Sequence, residues 1–191
     1  MDIRDKKLGE AERALNRLRM QVNDQIAFED NLSSFLTAAR SVLQYVFNEL
    51  KLPGRRWYAD YISGHNLLQL LSRQRNANIH RKPVDPLLSI ETTFFAENPT
   101  AEIVGIDKNG NEIESTKKSS PPPSATPTYA SESLKYFFKD TGSDVKDPLP
   151  PERESELLGL CQSYDVITLC EKWIGEIRSM LLDGRQKGFI K

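Results

Sequence analysis

Histidine is scarce in this 191-residue chain: there are two, His65 and His80. His80 closes the run Arg75-Asn76-Ala77-Asn78-Ile79-His80, five positions after an arginine. That pairing has a chemical use. RNA cleaves itself when a 2′-hydroxyl loses its proton and attacks the adjacent phosphate. A histidine that titrates near neutrality can move that proton or protonate the leaving oxygen. An arginine can donate two hydrogen bonds to the phosphoryl oxygens as negative charge builds on them. Such a pair calls for no metal and no cofactor. Arg73, Arg81 and Lys82 surround it with positive charge suited to a phosphate backbone.

Other chemistries find no residues here. There is no glycine-rich phosphate loop, no Gly-x-Ser-x-Gly elbow and no histidine-containing metal spacing. The two cysteines, Cys161 and Cys170, lie nine residues apart. On one helix that is a rotation of about 900°, which puts them on opposite faces, as buried small apolar residues. Neither has a polar context that would make it a nucleophile. Glu29-Asp30 and Glu154 with Glu156 read as helix-surface charge. His65 fits a helix start or an interface better than catalysis.

Proline separates the parts that must hold this motif from the rest. Of eleven prolines, ten lie from Pro83 to Pro151. An interior proline costs a helix about 3 kcal/mol, so long helices belong to residues 1–52 and 152–191. Leu8, Ala11, Leu15, Leu18 and Val22 mark a first amphipathic helix from about Asp5 to Val22. Phe28 to Leu50 carries a wide apolar face at the same spacing, with Asn23 or Asp24 as N-cap and Leu52-Pro53-Gly54 as its stop. A short helix from Arg55 to Ile62 holds Trp57, Tyr58 and Tyr61. The next runs from about Asn66 to Asn78 and positions Leu68, Leu71 and Arg75 on one face. That helix must end before Pro83, which lets His80 fold back near Arg75. A single last helix is expected from Glu152 to Leu182, ended by Asp183-Gly184.

The middle, 83–151, reads as a Pro-rich insertion. Strands are expected over Ser89 to Ala96, Ala101 to Ile106 and Asn111 to Thr116, with Asn109-Gly110 turning a hairpin. Lys117 to Thr128 reads as a loop, and Leu134 to Phe138 as a strand or a short helix. The fold class is therefore mainly α: a bundle of four to five helices made from 1–82 and 152–191, with a small β-hairpin insertion.

The Arg75–His80 run, its preceding long helix (including Phe35-Leu-Thr-Ala-Ala-Arg-Ser41) and its closing long helix resemble the HEPN superfamily. These are compact helical bundles with a signature of Arg, four to six residues, then His, and a polar residue commonly after the Arg. Asn76 occupies that polar slot. The resemblance covers roughly 1–82 and 152–191. It implies a metal-independent endoribonuclease of toxin or defence type, working as a homodimer in which two motifs meet in one cleft. Arg75 and His80 would then be catalytic and Asn76 would orient or support them. A toxin would also imply an antitoxin or another partner protein. Other members are catalytically silent modules that bind RNA or protein, and the two residues also fit a simple helix C-terminal cap.

Composition bounds these readings. Charged residues make up 28% and hydrophobic ones 38%, which is a globular balance. The net charge of −1 excludes a general nucleic-acid coat protein, so an RNA site has to be local. No apolar run reaches the roughly 18–20 residues of a membrane span. The charged N-terminal segment lacks the apolar core of a signal peptide, and a cytoplasmic protein is expected.

Overall fold

The computed structural model describes residues 2–80, 86–95, 105–106, 112–113, 129–141 and 149–191. Six helices dominate it: α1 (Ile3–Met20), α2 (Gln25–Glu49), α3 (Leu52–Gly64), α4 (Asn66–His80), α5 (Pro151–Ser163) and α6 (Val166–Gln186). Four strands lie between α4 and α5: β1 (Leu87–Phe95), β2 (Gly105–Ile106), β3 (Glu112–Ile113) and β4 (Tyr129–Phe137). The mainly α bundle with a small β element expected from the sequence is what forms. Among the described residues, no helix is long and apolar enough to cross a membrane.

The chain divides into two compact units, 1–89 with 135–191, and 90–134. In the smaller unit β2 and β3 pair antiparallel, with Gly105 opposite Ile113 and Ile106 opposite Glu112. The expected Asn109-Gly110 turn and the loop from Lys117 to Thr128 lie outside the described residues. β1 pairs with β4. The helical unit takes in more of the middle than its prolines suggested. At the end of β4, Tyr136 stacks on Phe28 at 3.9 Å and donates its hydroxyl to the Val22 carbonyl, while Phe138 packs on Trp173. Residues 135–141 therefore belong to the bundle, because burying two aromatic rings outweighs the strand's membership of the insertion.

The apolar stripes face one core. α1 lies along α2, and α6 contacts α1, α2 and α4. Phe28, Leu32, Phe35, Leu36, Leu68 and Trp173 are fully buried there, each contributing about 1.5–3 kcal/mol of transfer free energy. Asp24 caps α2 through its carboxylate, which accepts from the Ala27 amide.

Three boundaries differ from the sequence reading. Leu52-Pro53-Gly54 does not merely stop α2: Pro53 sits in the first turn of α3, where its missing N–H costs nothing. The expected single last helix is two. Tyr164 is extended, and the Asp165 carboxylate accepts from the Thr168 amide at 3.1 Å and its hydroxyl at 2.7 Å, starting a new helix. Cys161 and Cys170 thus lie on separate helices, both buried and unbridged. Gly184 lies inside α6 instead of ending it. A Cβ there would meet Ile190 at 2.5 Å and Trp57 at 2.7 Å, so close approach requires the glycine. The turn itself falls at Gly188, whose φ is 72°, with the Phe189 and Ile190 amides donating back to the Gly184 carbonyl.

Candidate functional site

α4 carries Arg73, Gln74, Arg75 and Asn76 in succession, and consecutive helix positions point about 100° apart. Gln74 is fully buried, and its amide donates to the Asp140 carbonyl at 2.5 Å. This fixes the rotation of α4 at the motif. Arg73 turns towards α5, where its Nη2 meets Glu154 at 3.2 Å with the arginine side chain only 11% exposed. The same carboxylate accepts from the Thr141 hydroxyl, and the Cys161 thiol reaches the Asp140 carbonyl at 3.4 Å. Burial and the nearby Asp140 charge push that thiol up to about 12, so Cys161 is an inert thiol. Arg73 is thereby a tie between α4 and α5, not a residue on an open RNA-binding surface.

Arg75 turns the other way, towards α2. It lines an open pocket of roughly 440 Å³ together with Arg40, Gln44, Phe47 and Asn48 of α2 and Tyr58 of α3. Among the described residues lining it there are two guanidiniums and no carboxylate. The Nε of Arg75 is buried and has no hydrogen-bond partner among the described residues. Burial, and then the like charge of Arg40, hold the Arg75 pKa below the usual guanidinium value. Burial likewise raises the Tyr58 phenol, and a hydrogen bond and charge from Arg40 offset part of that. At the rim, Arg55 lies over the Phe47 ring at 5.1 Å from its centroid while its Nε donates to the Leu50 carbonyl. An anionic group would find a cation pair and two neutral amides ready to turn towards it.

The other sequence-predicted residues fall as follows. Asn76 is half-buried on α4, adjoining Arg75. The backbone of α4 runs through His80, two residues beyond the Asn78 end expected from the sequence, and the side chain of His80 lies outside the described residues. A five-residue step on a helix is about 140° of net rotation and about 7.5 Å of rise, which places the two positions on different faces of α4. Arg81 and Lys82 lie outside the described residues. His65 caps the end of α3: its ring stacks on Tyr61 at 4.0 Å, its Nδ1 lies 2.6 Å from the Tyr61 carbonyl and its Nε2 lies 3.8 Å from Glu176. Trp57 is core and donates its indole N–H to Asp183 at 2.7 Å.

Sequence reasoning missed Arg40, Gln44 and Asn48. Their signal is a polar line at i, i+4 and i+8, running beside the apolar face of α2 and flanked by Phe47. No protein-family model matches the chain, and no match was found among curated proteins or solved structures.

Proposed function

We propose that the chain is a metal-independent endoribonuclease of HEPN type, toxin- or defence-like, working as a homodimer. The observation that carries this reading is Arg75: a partly buried guanidinium in a pocket with no carboxylate among the described residues that line it, on a helix that reaches His80. A cation held without a counter-ion is poised for an anion that arrives later. In the reaction, a 2′-hydroxyl gives up its proton as its oxygen attacks the adjacent phosphorus. The bond to the 5′-oxygen breaks, and that oxygen takes a proton. The products are a 2′,3′-cyclic phosphate and a 5′-hydroxyl. Arg75 donates to the non-bridging oxygens as charge grows on them, His80 moves the proton, and Asn76 supports their placement. Arg81 and Lys82 supply backbone contacts.

The 140° between Arg75 and His80 along α4 fits an active site completed by a second protomer. It also favours a second reading, a catalytically silent module that holds RNA or a protein partner such as an antitoxin through the Arg75 pocket alone. RNA cleavage in EDTA separates the two. Wild type should cut and leave cyclic-phosphate ends, with His80→Ala and Arg75→Gln each down at least a hundredfold. No cleavage by wild type over varied RNAs, or full activity in His80→Ala, overturns the enzyme reading and leaves the binding module.

A further inference from the structure

Among the described residues, five arginines are buried or half-buried: Arg4, Arg40, Arg73, Arg75 and Arg153. Three of them reach carboxylates, Arg4 with Asp2 and Glu49, Arg73 with Glu154, and Arg153 with Glu156. The remaining two, Arg40 and Arg75, share one pocket whose lining is otherwise Gln44, Asn48, Phe47 and Tyr58. Elsewhere this protein neutralises a guanidinium that it removes from water. Here it places two together, and their repulsion in the free chain disfavours the arrangement.

We propose that this pocket between α2 and α4 is a phosphoryl-binding site for a nucleotide, with Arg40 and Arg75 as a two-guanidinium clamp and Phe47 and Tyr58 as the wall for the attached nucleoside. The assignment deepens the ribonuclease reading, with which it shares Arg75. It adds Arg40 as a second phosphate-binding residue, and it can be tested without cleavage. Two planar forks suit the several equivalent oxygens of a phosphoryl group better than the two of a carboxylate. Gln44 and Asn48 follow Arg40 at steps of four on α2 and supply neutral N–H donors on the same side. Among the described lining residues none is acidic, so none repels a dianion. Phe47 is 41% exposed, with Arg55 over its ring and Tyr58 tilted against it at 5.5 Å, so apolar aromatic surface lies beside the cations for the nucleoside. Arg55, held over Phe47, adds a third positive charge at the rim.

The test is calorimetric titration of the full chain with uridine 5′-monophosphate, inorganic phosphate and uridine at low salt. The nucleotide should bind saturably and at least threefold tighter than inorganic phosphate, with uridine far weaker than either. Arg40→Gln should weaken the nucleotide at least tenfold, and Phe47→Ala should remove its advantage over phosphate. Binding is read without any cleavage step, so a failure of cleavage alone leaves this site standing. Gln44→Glu supplies the missing carboxylate on an exposed helix position. It should abolish binding while melting no lower than wild type, which separates loss of the site from loss of the fold. No saturable binding by wild type, undiminished binding in Arg40→Gln or Gln44→Glu, or equal affinity for nucleotide and inorganic phosphate overturns the proposal.

Discussion

Arg73 and Arg75 stand two residues apart on α4 and meet opposite surroundings. Arg73 enters a seam where Glu154 serves both its guanidinium and the Thr141 hydroxyl, with Gln74 and Cys161 beside it reaching the Asp140 carbonyl. Arg75 enters a pocket where the other charged residue, among the described ones lining it, is Arg40. A half-buried cation with its carboxylate holds two helices together. One without it costs stability and is retained for something outside the folded chain. Among the described residues, the difference between the two regions is one acidic residue, Glu154, on the facing helix.

The largest break in this comparison should come from the pocket side. Arg75→Gln should lower RNA cleavage by about 10²–10³-fold, the usual loss on removing a transition-state donor, while its urea midpoint holds or rises because the repulsion from Arg40 is gone. Arg73→Gln should do the reverse, lowering the urea midpoint with cleavage within a fewfold of wild type. A drop in midpoint for Arg75→Gln would make it a structural arginine like its neighbour.

Next in size is the seam. Glu154→Ala strands the Arg73 guanidinium and the Thr141 hydroxyl together and should cost about 1–3 kcal/mol in chemical denaturation, more than either partner's own truncation beyond the pair. Alkali probes the same region. Cys161 keeps its proton to about 12 when folded, against an ordinary value of 9.0, and Cys170 is also raised well above it. The unfolded chain therefore binds fewer protons above pH 9, so stability falls from there towards about pH 12. Tyr58, Tyr61 and Tyr136, all raised by burial, should steepen the fall above pH 10. Denaturation midpoints measured from pH 8 to 11 check the slope, and a flat profile would place these thiols in contact with solvent. The smallest effect belongs to a charge pair in neither region. Arg178 meets Glu12 at 2.7 Å with its side chain 62% exposed, and Arg178→Ala should change stability by no more than about 0.5 kcal/mol.

Much of the bundle was legible in residue periodicity. The stripes Leu8 to Leu18 and Phe28 to Val46 turned out to be the buried faces of α1 and α2, because a helix packed on one side records that side every three to four residues. The break at Tyr164-Asp165 was hidden, since Tyr164 and Ile167 still fit the spacing of one long helix. Only Asp165 with Thr168 three positions on marked a new N-terminus. Gly184 misled for a related reason: glycine at a helix end and glycine at a tight crossing look the same until Trp57 and Ile190 are in place. Arg75 as a candidate came from sequence spacing, but its pocket did not. Arg40 precedes it by 35 positions, and a pair of cations facing each other across two helices leaves no periodic trace.

The chain leaves the helical unit after Ser89 and returns at Lys135, so roughly 45 residues separate two halves that share one core. The entropy of closing such a loop grows only as the logarithm of its length, about 0.6 kcal/mol for each doubling. Halving or doubling the excursion would therefore change the bundle's stability by less than one buried methyl-sized cavity does. Its length is nearly free to drift as far as the helices are concerned, and whatever fixes it must act on the excursion itself.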